Sequence, residues 1–333
     1  MPRTVRRTRG AASGLVAVGG ALVLCAALPL AQQGCGLRAR ASAPLVFPEW
    51  VCAGPLEGEA AALGPPQWGR RRSPEGEELL DLFLTRDYGA RWRFLASHSE
   101  VQTALAQWVG GSEVVTTKGG HPPTWVWIGV PSGEIVKSAP GPGPYLWSVS
   151  PSGRKAAAVS TTVRIRDLRD GTQRDFPPPA LGGRVELIHT CPTWHPNEDL
   201  VALVVGFRPG GPRAGLGVAD GDVYLLRLGD GTWHRLTNGV HAVRVLWSPD
   251  GSLLAYATYA GSLDRRKNWF DISFVSTDGR PALMGTWADE RAWFSWLPSG
   301  DRLLVCREGK IAQLRWDGAT WVKETWGPPR QRR

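Results

Sequence analysis

A short phrase recurs along this chain: an aromatic residue, then a turn containing Pro or Ser followed by Gly, then an apolar strand. The clearest copy runs from Trp247 to Tyr256 and reads WSPDGSLLAY. Weaker copies begin at Ser73, Trp147, Trp194 and Trp296, and a degraded copy begins at Trp108. The copies lie roughly 35 to 55 residues apart, a period that predicts an array of similar structural units rather than one continuous sheet.

A second signal, a Gly preceded by Asp or Ser, follows the first within each unit and lies between runs of strand-forming residues. The pairs are Ser132-Gly133, Asp170-Gly171, Asp230-Gly231, Asp278-Gly279 and Asp317-Gly318. Asp-Gly suits a tight hairpin because both central residues can need positive φ, which Gly accepts freely and Asp tolerates. Each unit is therefore predicted to be a four-stranded antiparallel blade. Six blades would close into a ring that protects nearly every strand edge, which predicts an all-β, six-bladed β-propeller.

The phrase at Trp247 resembles the WD40-like (PD40-type) repeat of TolB-type six-bladed β-propellers, which is also seen in the propellers of prolyl-oligopeptidase-like enzymes. The resemblance covers about residues 66 to 326 and is strongest in the copies at Trp247 and Trp296. It implies the propeller fold. It implies little about function, because propellers are scaffolds whose task is set by their loops.

The sequence predicts four regions. Residues 1–35 form a signal peptide or N-terminal membrane anchor, 36–65 a linker with a possible ring-closing strand, 66–326 the propeller, and 327–333 a basic, Pro-containing tail. The stretch from Leu45 to Trp68 has no clear repeat, so it could pair with the last blade or start another one. A seven-bladed ring, or a ring of five blades plus one composite blade, therefore stays open.

The N-terminal region carries the prediction of location. Arg3, Arg6, Arg7 and Arg9 precede an apolar run from about residue 14 to 31, and no acidic residue stands before Glu49. A basic segment followed by an apolar segment is typical of an export signal. The apolar run is long enough that an uncleaved membrane anchor is the alternative. Either interpretation places the propeller outside the cytoplasm, at the cell envelope or in the periplasmic or extracellular space.

Cys35 raises a third possibility for the same region. It follows Gln32-Gln33-Gly34, which ends like a bacterial lipobox, with a small residue before the cysteine that would be lipidated. The Leu expected three residues before the cysteine is replaced by Gln32. Cleaved signal, anchor and lipoprotein therefore remain three open alternatives.

The exported region contains three cysteines, Cys52, Cys191 and Cys306. An odd number in an oxidising compartment allows at most one internal disulfide. Propellers usually close by pairing strands from the two chain ends, so we hypothesise a Cys52–Cys306 disulfide; the alternative is three buried thiols. The spacing fits no zinc site, and we predict no metal.

The net charge of +9 invites a nucleic-acid interpretation, but its distribution argues against one. Four of the charges are the N-terminal arginines, and Arg330, Arg332 and Arg333 form a short tail. Little net charge is left for the body of the protein, whereas a nucleic-acid binder carries a basic stripe on its folded surface. We therefore predict no nucleic-acid partner.

Catalytic motifs are absent from the sequence. No Gly-x-Ser-x-Gly elbow, His-Glu-x-x-His pair or Walker A loop is present, so the chain leans away from being an enzyme, and no cofactor is predicted. The 17 tryptophans are interpreted mainly as structural. We expect Trp147, Trp194, Trp247 and Trp296 to fill the space between neighbouring blades, and Trp233 and Trp321 to pack on blade faces.

The longer connections between strands are predicted to lie on the face of the ring opposite the tight turns. This face would include the two longest insertions, 207 to 222 and 259 to 271. Insertions collected on one face of a repeat ring usually mark a binding face; the alternative is that they are only solvated loops. The candidate binding residues on this face are His121, Arg184, His189, Arg208, Arg213, His241, Arg244, Asp264, Arg265, Arg266, Trp269, Asp289 and Arg291.

The sequence therefore favours an exported, monomeric, non-enzymatic propeller that binds a protein or peptide at the cell envelope and is tethered to the membrane through its N-terminal segment. One alternative is an envelope sensor or a carbohydrate-binding propeller, for which exposed tryptophans on the loops would argue. The other is an enzyme with its active groups in the central funnel, where His121, His189, His241 and Asp289 would be the first candidates.

Overall fold

A computed structural model describes the second of two compact units, residues 42–333, since the first unit, 1–41, contains no described residue. The described residues are 50–54, 60–64, 79–87, 91, 93–99, 107–118, 124–141, 146–179, 186–187, 191–207, 220–259, 269–280, 282, 287–290, 293–307 and 310–326. The predicted signal or anchor and the basic tail lie outside these ranges. Within them, no helix is long and apolar enough to cross a membrane.

The described part of the chain is built of β-strands joined by turns. The strands are β1 Trp50–Ala53, β2 Ala60–Gly64, β3 Leu79–Thr85, β4 Arg93–Ser99, β5 Gln107–Val109, β6 Glu113–Lys118, β7 Thr124–Gly129, β8 Ile135–Pro140, β9 Leu146–Val149, β10 Lys155–Val159, β11 Val163–Asp167, β12 Gln173–Phe176, β13 Glu186–Leu187, β14 Thr193–Trp194, β15 Leu200–Phe207, β16 Asp220–Arg227, β17 Trp233–Arg235, β18 Ala242–Trp247, β19 Leu253–Tyr259, β20 Trp269–Ser276, β21 Trp287–Glu290, β22 Trp293–Trp296, β23 Arg302–Arg307, β24 Lys310–Trp316 and β25 Trp321–Trp326.

The strands form antiparallel sheets arranged as a propeller. Four sheets have four strands each: β1 to β4, β5 to β8, β9 to β12 and β22 to β25. The fifth sheet has nine strands, in the order β13-β15-β16-β18-β19-β20-β21, with β14 paired to β15 and β17 paired to β16. The predicted all-β propeller class is confirmed.

The nine-stranded sheet contains two units that resemble the separate sheets, β14 to β17 and β18 to β21. A single residue pair, Gly221 with Ala242, joins them. The first strands of all units contact one another in a closed cycle, β1 to β5, β9, β14, β18, β22 and back to β1. The backbone N–H of Ala53 donates to Ser295 Oγ at 3.2 Å across the β1–β22 junction. The cycle runs through the four separate sheets and the two units of the nine-stranded sheet, and the number of six blades stays a prediction.

The first sheet begins earlier in the chain than the repeat at Ser73 suggested. Strands β1 and β2 pair with each other, and β2 pairs with β3, so all three belong to one sheet. The phrase from Ser73 to Gly76 lies outside the described residues. It leads into β3, the third strand of its sheet, whereas the phrases at Trp147 and Trp247 lead into second strands. The copy at Ser73 is therefore out of phase with the others.

The Asp-Gly turns differ from the predicted two-residue hairpins. Gly231 has φ of +78°, but Asp230 is not among the positive-φ residues of the described chain. Instead, Asp230 Oδ1 accepts hydrogen bonds from the Thr232 backbone N–H at 3.0 Å and from its hydroxyl at 2.8 Å. Gly231 N–H also donates to the Arg227 carbonyl at 2.9 Å. Asp thus contributes its side chain, as in an Asx turn, and only Gly supplies the left-handed conformation.

The apolar core is divided into clusters that lie between consecutive sheets. One cluster joins Val163 and Phe176 to Leu203 and Leu226, and the next joins Val204 to Leu254. The last cluster joins Leu304 of the final sheet to Ala60 of the first. Each sheet therefore buries both faces, which explains why its strands carry nearly continuous apolar runs.

The repeat tryptophans occupy these inter-sheet spaces, as the sequence predicts. Trp147 is 1% exposed, and the other three are each 6% exposed. The indole N–H of Trp194 donates to the Ser148 carbonyl at 3.4 Å, that of Trp247 to Thr193 at 3.2 Å, and that of Trp296 to Leu246 at 3.3 Å. Each of these rings thus donates to a backbone carbonyl next to the repeat tryptophan of the preceding unit. The indole therefore adds a directional contact to the apolar packing.

Trp233 and Trp321 also bridge neighbouring units. Trp321 is buried and stacks on Phe274 of β20, with ring centroids 5.2 Å apart. Trp233 is half-buried, and its indole N–H donates to the Pro177 carbonyl at 2.8 Å. The position after an Asp-Gly turn therefore contributes to the contact with the preceding unit.

Candidate functional site

The two ends of each sheet differ in structure. Hydrogen bonds join the first and last turns of the same sheet: Leu168 N–H to Arg154 O at 2.7 Å, Leu228 N–H to Asp199 O at 2.9 Å, and Trp316 N–H to Asp301 O at 3.1 Å. We call the end formed by these turns the turn face. The connection 238 to 241, which leads from β17 into β18, lies at the other end, which we call the loop face.

Two of the predicted binding residues, His241 and Arg244, have described side chains. Trp269 and Asp289 lie in β20 and β21, where Trp269 pairs with Glu290 and Asp289 with Phe270, but their side chains are outside the description. The other nine candidates, His121, Arg184, His189, Arg208, Arg213, Asp264, Arg265, Arg266 and Arg291, lie outside the described residues. Their role in binding stays a prediction.

The loop that carries His241 is held in place by Asp222 at the start of β16. The Asp222 carboxylate accepts hydrogen bonds from the Thr237 hydroxyl at 3.1 Å and the Val240 backbone N–H at 3.2 Å. It also pairs with Arg235 at 2.5 Å, and this hydrogen bond raises the pKa of the arginine. One carboxylate thus organises the whole connection between β17 and β18.

His241 follows this fixed loop in an uncommon backbone conformation. Its φ is +55°, in the left-handed region, and the residue is exposed on the loop face. A non-glycine residue in this region costs about 1–3 kcal/mol and persists only where its surroundings determine it. The Asp222 network supplies that constraint, so the imidazole is presented from a rigid loop rather than from a solvated one.

Arg244 lies on the first strand β18, near the loop-face end of the ring. A register shift between Ala242 and Arg244 marks a bulge just before it. Its guanidinium lies 5.0 Å from the centre of the Phe294 ring, which belongs to the next first strand, β22. Because β18 and β22 are the first strands of neighbouring units and contact each other, the cation stands at the junction between these two units.

Burial around Arg244 shifts the pKa of two groups. Desolvation lowers the pKa of Arg244 to about 10, which leaves the guanidinium charged at neutral pH. Desolvation also raises the pKa of the nearby Cys191 thiol to about 12, and the opposing effects of the Arg244 charge and of a backbone hydrogen bond from Trp147 are smaller. Cys191 is a free cysteine and is held as a neutral thiol, so it is unsuited to be a nucleophile.

Sequence reasoning selected Arg244 but missed its surroundings. Cys191, Trp147 and Phe294 precede or belong to three different first strands, and no local pattern links them. In the sequence, Asp222 stands out only as the last residue of the insertion 207 to 222. Its signal is weak, since a carboxylate at a strand start is common, and only the fold brings it to the 237 to 241 loop.

The predicted Cys52–Cys306 disulfide can be compared with the structure only at the level of strands. Cys52 lies in β1 and Cys306 in β23, and these strands are neighbours at the junction of the first and last sheets. Neither side chain is among those described, so the disulfide stays a prediction.

Exposed tryptophan rings would favour the sugar-binding alternative, and clustered His and carboxylate side chains would favour an enzyme. Ten tryptophan side chains are described; seven are buried and three, Trp108, Trp233 and Trp316, are half-buried. None of these ten offers an exposed stacking surface for a sugar. Within the described ranges, no group of three or more His, Cys, Asp or Glu side chains is placed to hold a metal ion.

These features define a β-propeller with hydrogen-bonded turns on its turn face and with the Arg244 guanidinium at the β18–β22 junction near its loop face. The crystal structure of TolB from Acinetobacter baumannii is similar, with a TM-score of 0.51 and 17% identity over 78% of this chain. The match spans 63% of the TolB chain. At this identity the likeness shows the fold, and it confirms the resemblance to TolB-like propellers.

Kuenenia stuttgartiensis hydrazine synthase also matches, with a TM-score of 0.46 and 12% identity over 85% of this chain and 81% of that one. No protein-family model matches the sequence, and no curated protein matches it.

Proposed function

We propose that this chain is an exported, non-enzymatic propeller that binds an acidic segment of a protein or peptide on its loop face, beside the junction of β18 and β22. The observation that carries the proposal is the position of Arg244. Its guanidinium, which stays charged at neutral pH, lies 5.0 Å from the centre of the fully buried Phe294 ring, and arginine is enriched at interface hot spots.

The surroundings of Arg244 favour an anionic partner group. A guanidinium held in a low-dielectric environment interacts more strongly with a carboxylate than one exposed to water does. Its planar fork can also bind a carboxylate through two parallel hydrogen bonds. His241 and the fixed 238 to 241 loop would then contact the residues that flank the bound acidic group.

The setting at the cell envelope belongs to the same proposal. It is supported by the basic and apolar pattern of residues 1–35, which is typical of export. In this proposal the chain comprises that signal or anchor, a linker whose last part forms β1 and β2 of the first sheet, the rest of the propeller up to residue 326, and the tail 327–333. The propeller acts as a monomer, and the N-terminal segment provides any attachment to the membrane.

The test is site-specific photocrosslinking in the chain's own cell envelope extract. A crosslinking residue would replace the exposed Asn238 on the loop face or, as a matched control, the exposed Arg154 on the turn face. We expect a discrete protein adduct from position 238 and none from position 154. Equal capture from both positions would contradict a loop-face site.

Variants of Arg244 test the anchor itself. R244Q removes the charge and is expected to abolish the adduct at position 238, whereas R244K keeps the charge without the planar fork and should retain part of it. Thermal melting of each variant checks that the ring is still folded. Undiminished capture by folded R244Q would show that the buried cation is not the anchor.

A further inference from the structure

A cavity of about 220 Å³ opens on the turn face, between the first two sheets. It is lined by Leu84, Arg86, Asp87, Arg91, Arg93 and Pro131. Five of these residues come from the end of β3, the β3–β4 connection and the start of β4, and Pro131 comes from the β7–β8 turn. The cavity is therefore at the end of the ring opposite to the loop face and to Arg244.

The one carboxylate of the lining is used within its own loop. Asp87 Oδ1 accepts hydrogen bonds from the Thr85 hydroxyl at 2.9 Å and from the Arg91 backbone N–H at 2.8 Å. The Asp87 backbone N–H in turn donates to Thr85 Oγ1 at 3.4 Å. These bonds fix the loop and thereby place the Arg91 side chain at the cavity.

Arg93 closes the side of the cavity that lies between the sheets. Its guanidinium donates through Nη2 to the backbone carbonyl of Pro131, a neutral acceptor on the second sheet. Within the described part of the chain, neither Arg91 nor Arg93 has a carboxylate within ion-pair distance. The two cations thus stand at one cavity with no acidic partner from the described residues.

The balance of charge in the lining is positive without counting Arg86, because Arg91 and Arg93 stand beside the single carboxylate of Asp87. Gathering like charges costs electrostatic energy, and an oxyanion placed between them offsets that cost. Arginine is especially suited to this role because its planar fork matches carboxylate and phosphate oxygens. Leu84, which is 4% exposed, contributes apolar surface to the same lining, and apolar surroundings strengthen such contacts.

We propose that this cavity is a binding site for a single oxyanion group, a phosphate or a carboxylate, held by Arg91 and Arg93. The site is independent of the loop-face partner, since the two lie at opposite ends of the sheets. Phosphate and carboxylate share the recognition chemistry, and the experiment has one arm for each.

The test is isothermal titration of the propeller region, residues 44–333 of the chain, with inorganic phosphate in one arm and acetate in the other, at constant ionic strength. We expect saturable binding in at least one arm, and the tighter arm identifies the class of ligand. Absence of saturable binding in both arms would overturn the proposal.

Two variants localise the binding. Since no described contact involves the Arg91 side chain, R91Q should fold normally; it should weaken binding about tenfold, the loss expected for a hydrogen bond to a charged group. R91Q/R93Q should abolish binding. The matched control is R154Q, which removes one exposed arginine from the turn face of the third sheet. Wild-type affinity in R91Q, or an equal loss in R154Q, would show that the ion binds elsewhere or only through net charge.

Discussion

The strands β14 to β17 contact their two neighbours in different ways. We call the contact with β9 to β12 the upstream interface and the contact with β18 to β21 the downstream interface. Both interfaces have an apolar core, and they differ at the turn face. There the downstream contact is aromatic: His195 meets Trp247 edge to face at 4.7 Å, and Gly251 lies directly against the His195 ring. Backbone pairing of Gly221 with Ala242 continues the sheet across it.

The upstream interface relies on polar contacts at the turn face. Glu198 Oε1 accepts a hydrogen bond from the Ser152 backbone N–H at 2.6 Å. Arg174 Nη1 donates to the Leu228 carbonyl at 2.6 Å, and Trp233 adds its bond to Pro177. No backbone ladder between described strands continues across this interface.

Equivalent turn positions explain the difference. Gly251 and Glu198 both adopt the left-handed conformation, with φ of +74° and +59°. At position 251 a side chain has no room, since a Cβ would lie 2.3 Å from His195 Nε2. At position 198 the side chain reaches the preceding unit and bonds to it. The repeat therefore tolerates loss of its glycine where the replacing side chain gains a partner across an interface.

The largest loss of stability is expected when the Trp247 ring is removed from the downstream interface. W247A should lower the free energy of unfolding by about 3–5 kcal/mol, because it leaves a cavity where Trp247 is now 6% exposed. W247F keeps an aromatic ring but loses the bond to Thr193, so a loss of about 1–2 kcal/mol is expected. Chemical denaturation measures both. If W247A and W247F lose equal amounts, packing is not what this ring contributes.

The next effect tests the lack of room at Gly251. G251A should cost about 2–4 kcal/mol, since it combines the penalty for a left-handed Cβ with a steric clash against His195. The matched control is G171A, where φ is also positive, at +76°, but the nearest atom is Arg166 Nη2 at 3.8 Å. It should cost only about 1–2 kcal/mol. Thermal melting compares the two, and equal losses would contradict the clash.

The polar contact of the upstream interface gives a smaller and pH-dependent effect. E198A should lose about 1 kcal/mol, because the bond to Ser152 is lost while the backbone penalty remains. E198G loses the same bond but relieves the backbone, so it should melt above E198A. The reverse order of these two variants would contradict the account of strain at this position.

The pH dependence has a defined sign. Burial of Glu198 raises its pKa, but hydrogen bonds from Ser152 and Ser150 and the charge of Lys155 together lower it below the ordinary value of 4.5. The carboxylate therefore adds stability above pH 4.5 and loses it as pH falls through the folded-state pKa. Melting temperatures of wild type and E198Q should converge on acidification. A constant difference from pH 7 to pH 3 would exclude the ionised carboxylate as the acceptor.

The smallest effect is expected at the edge of the upstream interface. W233F removes the indole donor to Pro177 and should cost about 0.5–1 kcal/mol. Hydrogen exchange at the backbone amides of β17, Trp233–Arg235, measures this local change. Faster exchange in β17 alone is expected, whereas faster exchange throughout β9 to β17 would show that this contact holds the two units together.

Local chemistry explains which parts of the fold could be predicted. The anchors at Trp147, Trp194, Trp247 and Trp296 and the turns after them follow from a repeated phrase, and the structure places them as expected. The first unit is different. Its sequence has Trp50 in β1 and then Gly54-Pro55 and Gly58 before β2, a stretched version of the phrase that is harder to recognise than the more regular copy at Ser73.

The environment of the candidate site could not be predicted in the same way. Arg244, Phe294 and Cys191 come together only because first strands from distant parts of the chain meet around one axis. The cavity lined by Arg91, Arg93 and Pro131 likewise depends on how two separate sheets pack against each other. Sequence patterns indicate elements and their faces, while these contacts depend on closure of the ring.

The hydrogen bond between Ala53 and Ser295 joins residues 242 positions apart. Closing so long a segment carries a large entropic cost that no local contact offsets, and non-local pairing of this kind slows folding. The first sheet cannot pack against its second neighbour until the last sheet has formed. During synthesis the chain therefore exposes the apolar surface around Ala60 until Leu304 and the rest of the last sheet have formed, the interval in which aggregation competes most with folding.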